Sequence, residues 1–289
     1  MNLLNHFLER TEFESYEDFI ANYKLKIPTG FNFGYDVVDE YARLEPDKPA
    51  LLWYNDEDER HFTFGDVARE STKLANAYRS LGIERGDCVL FMLRERPEAW
   101  FTFVALAKLG AVAIPATFQL RSEDIAYRCN AASVKMICAV DDEEIVALIR
   151  EALPECTTCK TAALVGDHVP DDFIDLRRLA ADSSDQIARV STNNTDTMLM
   201  YFSSGTTGHP KMIAHDFLYP LGHITTAKYW QHVEDGGRHF TYSDSGWAKF
   251  TWGKIFGQWI AGAEIIGYDS KRFSGVKLLA ALDHLKPVT

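Results

Sequence analysis

Residues Tyr201 to His215 read YFSSGTTGHPKMIAH, placing four hydroxyls, two glycines and one lysine within nine positions. The hydroxyls of Ser203, Ser204, Thr206 and Thr207 can donate to phosphate oxygens, and Thr206 or Thr207 can ligate a magnesium ion. Gly205 and Gly208 let backbone N–H groups approach a ligand closely and tolerate positive φ. Lys211 adds a point charge just beyond them. The set suits a polyphosphate.

Two familiar phosphate motifs do not fit. A P-loop needs a lysine and a hydroxyl directly after its last glycine, whereas Gly208 is followed by His209, Pro210, Lys211 and Met212. Pro210 also forbids a helix running through the loop. The dinucleotide fingerprint G-x-G-x-x-G is not in this loop. A ligand-free hairpin turn would explain a bare GTTG, but the nine-residue string SSGTTGHPK after an apolar strand is more specific.

The elements around the loop alternate between helix and strand signals. A helix is expected over Tyr35–Leu44, and strands at Ala50–Tyr54 and Arg60–Thr63. Thr63 and Asp66 have the spacing of a helix cap, followed by apolar positions at helical period that stop at Gly82. Strands are expected at Cys88–Leu93, Val112–Pro115, Val134–Val140 and Ala162–Val165. Helices fall between them, opening at Pro97, Ser122 and Glu143. Continuous apolar strands in βαβα order imply a parallel sheet covered on both faces. The polar stretch Ala180–Asn194 reads as a linker. Thr197–Ser203 then feeds the loop, and Lys211–His215 forms its return strand. Beyond it come a helix over Tyr219–Gln231, a strand at Arg238–Tyr242, a helix over Trp247–Ala261, a strand at Glu264–Gly267 and a helix over Phe273–Leu285. The expected organisation is an extension over residues 1–34, a first α/β subdomain over 35–194, and the loop hairpin with the start of a second α/β subdomain over 195–289. The approach to a further strand at Pro287 suggests an N-terminal piece of a longer protein.

The chain has 289 residues, 46% of them apolar and 25% charged, as in a globular protein. A net charge of −12 argues against broad binding to nucleic acid or anionic membrane, so an anionic ligand needs a local positive site. Five scattered cysteines do not form a disulfide framework. Cys156 and Cys159 make a lone C-x-x-C, read as incidental thiols. The acidic N-terminus resembles neither a signal nor a transit peptide, and the cytoplasm is the expected location.

SSGTTGHPK resembles the [ST]-S-G-[ST]-T-G-x-P-K phosphate loop of the adenylate-forming synthetases, a superfamily of acyl-CoA synthetases, luciferases and peptide-synthetase adenylation domains. Every fixed position agrees. Phe62–Leu120 is similar to the opening half-domain of that superfamily, and Tyr242–Ile266 to its medium-chain acyl-CoA synthetase branch. The resemblance implies two stacked α/β subdomains with mostly parallel sheets. It implies ATP-dependent activation of a carboxylic acid to an acyl-adenylate, then transfer to coenzyme A. Residues Ser203 to Lys211, His209 and Pro210 included, would hold the ATP phosphates, with magnesium shared by Thr206 or Thr207. His215 matches a recurrent histidine near the adenylate. Trp247, Thr251, Trp252 and Gly253 would line the acyl pocket.

Each assignment has a plainer counterpart. Lys211 could be an exposed strand lysine, and His215 a structural histidine. Trp252, Phe256 and Trp259 share one helical face, so Phe256 and Trp259 are read as packing. His223 is also read as packing. The superfamily's later motifs would lie beyond Thr289, so this chain alone is expected to be inactive. An adenylation module that loads a carrier protein, and a nucleotide-binding remnant without catalysis, are the competing readings.

Overall fold

The computed structural model describes residues 2–203, 208–270 and 272–289. Eleven strands run in chain order among them: β1 Pro49–Tyr54, β2 Glu59–Thr63, β3 Cys88–Met92, β4 Val112–Pro115, β5 Met136–Val140, β6 Thr161–Val165, β7 Ile174–Asp175, β8 Thr197–Ser203, β9 Lys211–Asp216, β10 Arg238–Phe240 and β11 Glu264–Tyr268. They form two sheets. The larger has the order β7-β6-β5-β3-β4-β8-β9 and is parallel except for the edge strand β9. The smaller has the order β10-β11-β1-β2, with β2 antiparallel.

The apolar runs behave as parallel strands buried on both faces do. Val89, Leu90 and Phe91 of β3 pair with Ala113, Ile114 and Pro115 on one side and with Met136, Ile137 and Cys138 on the other. The Pro97–Leu109 helix is buried at every position but Glu98, as expected for a helix apolar all round. It bridges the two sheets. Phe103 meets Phe91 of β3 edge-on at 4.9 Å, while Trp100 packs on Gly267 of β11, where a Cβ would come within 2.7 Å of the indole. The Phe64–Ser80 helix starts on the expected capping box: Asp66 N–H donates to Thr63 Oγ1 at 3.1 Å, and Thr63 N–H donates to Asp66 Oδ2 at 2.9 Å.

The expected boundaries at 35 and 195 do not coincide with the sheets. β1 and β2, early in the chain, belong to the sheet of β10 and β11, while β8 and β9 complete the sheet of β3–β7. The physical reason is parallel pairing at a distance: Leu51 to Tyr54 align with Ile265 to Tyr268. Residues 2–34, read as an extension, pack against the rest of the chain. Leu3, Leu4, Phe7 and Leu8 are buried, and Leu3 N–H donates to Tyr41 Oη at 3.0 Å and to the Ile260 carbonyl at 3.2 Å. The Ala180–Asn194 stretch opens on the end of a Leu176–Ala181 helix. Its polar side chains then tie to the N-terminal segment: Asn194 accepts from Phe31 N–H at 2.9 Å, and Arg189 pairs with Asp36 at 2.6 Å. Two expected helices are interrupted. Tyr219–Gln231 becomes a Tyr219–Gly222 turn of helix and a wider π-helical Thr225–Trp230 segment. Trp247–Ala261 divides at Ile255 into Ala248–Lys254 and Phe256–Ile260.

Candidate phosphate-loop site

β8 and β9 form an antiparallel hairpin whose last ladder pair is Ser203 with Lys211. Ser203 and Lys211 therefore face each other at the neck of the loop. β8 runs parallel to β4, so the loop leaves at the carboxyl end of the sheet, where open α/β sheets bind ligands. Ser204, Gly205, Thr206 and Thr207, expected to hold phosphate and, at Thr206 or Thr207, magnesium, lie outside the described residues. Gly208 has φ +127°, a conformation that favours glycine, and a Cβ there would meet nothing within 4 Å. His209 is exposed, and its ring stacks on Tyr127 at 4.4 Å. The Pro210 carbonyl accepts from Tyr127 Oη–H at 3.1 Å. Lys211 is exposed at the start of β9. Among the described residues no group of His, Cys, Asp or Glu could hold a metal ion. An ion arriving with a polyphosphate would need only oxygen donors, which the loop's hydroxyl composition can supply.

His215 lies behind the neck, on the same hairpin. Its ring is 4.1 Å from Tyr219 and 5.9 Å from Tyr201, and Tyr219 is 4.5 Å from His223. Burial lowers the His215 pKa from its ordinary value, and burial with the neighbouring His215 takes His223 down to about 4. Both rings are neutral at physiological pH. Tyr201 is hydrogen-bonded to Thr251 Oγ1, which also donates to the Ala248 carbonyl at 3.0 Å. One wall thus joins Tyr201, His215, Tyr219, His223 and Thr251. Tyr201, Tyr219 and His223 carried no site role in the sequence reading. The hairpin register would have found Tyr201, because the pairs Leu199–His215 and Tyr201–Ile213 put Tyr201 diagonally across from His215 on one face.

The four residues read as an acyl pocket do not converge. Only Thr251 reaches this wall. Trp252 lies against Trp230 at 5.9 Å, and its carbonyl accepts from Gln258 Nε2. Gly253 leaves no open volume: a Cβ would sit 3.0 Å from Thr241 Cγ2, and its carbonyl accepts from His239 Nε2 and Thr241 Oγ1. The break at Ile255 is what removes Trp252 from the face of Phe256 and Trp259, both of which are buried as read.

Trp247, 57% exposed, lines a separate cleft of about 740 Å³ with Phe118, Tyr242, Asp244 and Tyr268. This cleft also opens at the carboxyl ends of strands, because Gly246 packs on the backbone of Ala116 and Thr117 just past β4. Its floor is charged. Lys254 Nζ lies 2.7 and 3.0 Å from the two carboxylate oxygens of Glu95, inside a cage of Trp100, Phe240 and Phe250 rings. Burial pushes the Glu95 carboxyl up and the Lys254 ammonium down, while the opposite charge of each holds the other back. Asp244 is pushed up to about 6, chiefly by burial. Sequence reasoning singled out none of these three, because a buried ion pair 159 positions apart leaves no local pattern.

Residues 38–289 match the model of a family described as AMP-binding enzyme. Over 285 residues the chain is 31% identical to acyl-coenzyme A synthetase ACSM3, mitochondrial, of Pongo abelii, covering 96% of this chain and 48% of that protein. It is 34% identical over 255 residues to acyl-coenzyme A synthetase ACSM4, mitochondrial, of Mus musculus, covering 86% and 44%. The chain thus spans about half the length of the curated relatives it matches. Among solved structures, the anthranilate CoA ligase AuaEII in complex with anthranoyl-AMP superposes with a TM-score of 0.81 at 20% identity, covering 90% of this chain and 49% of that one. The Brucella canis acyl-CoA synthetase gives 0.77 at 22% identity, covering 89% and 46%. At these identities the two structures speak for the fold.

Proposed function

The chain belongs to the AMP-binding enzyme family, and from that premise we propose that its parent protein is an AMP-forming acyl-CoA synthetase. A carboxylate oxygen of the acid attacks the α-phosphorus of ATP, and the bond to pyrophosphate breaks. The thiolate of coenzyme A then attacks the acyl carbon, and AMP leaves. The first step brings anions together, so cations and N–H dipoles that hold the departing pyrophosphate lower its barrier. Ser203 and Lys211, paired across the neck of the loop, supply a hydroxyl and an ammonium in that role. Thr206 or Thr207 would share magnesium with the nucleotide. The neutral His215 and the Tyr201–Thr251 hydrogen bond form the wall offered to the acid, for which a short- or medium-chain or aryl acid is the proposed class. The curated relatives are acyl-coenzyme A synthetases, which favours coenzyme A over a carrier protein as acceptor.

The observation that carries this reading is the hairpin: its serine- and lysine-flanked neck opens at the carboxyl end of the parallel sheet. Carboxylate-dependent pyrophosphate exchange by the full-length protein, across a panel of acids, tests it. Lys211→Ala should slow that exchange by roughly ten- to a hundredfold, the loss of one hydrogen bond to a charged group. Wild-type exchange in the variant would remove Lys211 from the site. For location we propose the cytoplasm. The relatives are named as mitochondrial proteins, no helix among the described residues is long and apolar enough to cross a membrane, and cell fractionation decides between the compartments.

A further inference from the structure

The downstream arm of the loop is held by a helix that the proposed chemistry does not use. We propose that Tyr127 is a positioning residue for the phosphate loop, fixing His209 and Pro210 so that Lys211 is presented at one place. The inference rests on the phosphate-loop reading given above.

Tyr127 sits on the Ser122–Ala131 helix and makes two different contacts with the arm. Its ring lies almost parallel to His209, 4.4 Å away at 15°. Its hydroxyl donates to the Pro210 carbonyl at 3.1 Å. That carbonyl lies one residue outside the β8–β9 ladder, which ends at the Ser203–Lys211 pair. A carbonyl past the end of a ladder needs another donor or water. The same helix grips the other side of the neck: Tyr127 meets Phe202 of β8 edge-on at 6.3 Å, and the Arg128 guanidinium lies over the Phe202 ring at 5.3 Å. One helix therefore touches both stems between which the loop is strung. Packing alone would be served by phenylalanine at 127. The hydroxyl is the feature that packing does not explain.

The test uses Tyr127→Phe and Tyr127→Leu in the full-length enzyme, with two readouts. In pyrophosphate exchange, Tyr127→Phe should raise KM for ATP by roughly two- to tenfold, the range for one neutral hydrogen bond, with kcat and KM for the acid near wild type. Tyr127→Leu should raise KM for ATP further, because the stack on His209 goes as well. In hydrogen–deuterium exchange, the peptide spanning residues 208–212 should exchange faster in both variants. Unchanged KM for ATP together with unchanged exchange in that peptide would overturn the proposal. So would equal rises in both KM values, the mark of a general loss of structure. If the wild-type enzyme activates no acid, the functional reading falls. The hydrogen-exchange comparison then decides the role of Tyr127 alone: faster exchange supports it and unchanged exchange overturns it.

Discussion

Lys254 and Glu95 define what single residues do here. Two opposite charges in an aromatic cage are costly to bury, and each is tolerable only because the other is present. Lys254→Met should therefore destabilise the protein by about 3–5 kcal/mol, as removal of one partner of a buried pair does. A Glu95→Leu, Lys254→Met double variant should recover most of that loss, because no charge is then stranded. Denaturant midpoints of the three proteins check this, and a double variant as weak as the single one would refute it. His223 carries a pH signature of the opposite kind. Its folded pKa of about 4 lies below the ordinary 6.5, so the unfolded chain takes up the proton first. Its contribution is complete above about pH 6.5 and is lost as pH falls toward 4. Asp244, raised to about 6, pulls the other way over much of that range, since its folded form holds the proton longer. The wild-type pH curve mixes these with other shifted groups, among them Glu95 and His239. The difference between wild type and His223→Gln isolates the histidine, and it should grow from pH 4 to 6.5 in favour of the wild type.

At the scale of elements, the break at Ile255 carries the most information. The sequence from Trp247 to Ala261 has no proline and reads as one helix. The chain nevertheless leaves helical geometry at Ile255, with φ −135° and ψ −75°. On one side of the break Lys254 is committed to Glu95. On the other, Gly257 lies so close to His223 that a Cβ would fall 2.1 Å from its carbonyl oxygen. Gly257→Ala should thus cost roughly 1–3 kcal/mol, the usual penalty for overpacking. Gly222→Ala, where a Cβ meets nothing within 4 Å, is the matched control and should be nearly neutral. Equal midpoints for the two variants would remove close packing as the reason for the glycine. The same contrast explains what was readable from sequence. The Pro97–Leu109 and Ser122–Ala131 helices start where Pro97 and Ser122 place them, and β4 and β8 lie where their apolar runs do, because local signals decide them. The kink at 255, the scatter of Trp252 and Gly253 away from Thr251, and the Glu95–Lys254 pair depend on partners far along the chain. The proposed phosphate loop is read from residue types and their order, whereas Tyr127, 83 positions from the carbonyl it holds, leaves no such local signal.

For the molecule as a whole, the consequence lies in which strands pair across the chain. A polar stretch ending at Asn194 looks like a domain boundary, yet each sheet takes strands from both sides of it. The reason is the Pro97–Leu109 helix. Apolar on every side, it can be stable only between two sheets, so both must assemble around it. A segment comprising residues 1–194 keeps β1 to β7 but loses β11 beside β1 and β8 beside β4. It also uncovers Trp100 and Phe103, whose partners Phe250 and Gly267 lie in the missing part. Expressed alone, that segment should bind a hydrophobic dye and lack a cooperative thermal transition. A sharp transition would instead make it an independent domain and would restore the boundary at 195. Adding residues 195–289 as a separate chain should bring the transition back in proportion to complex formation, because the missing strands and the cover for Trp100 arrive together.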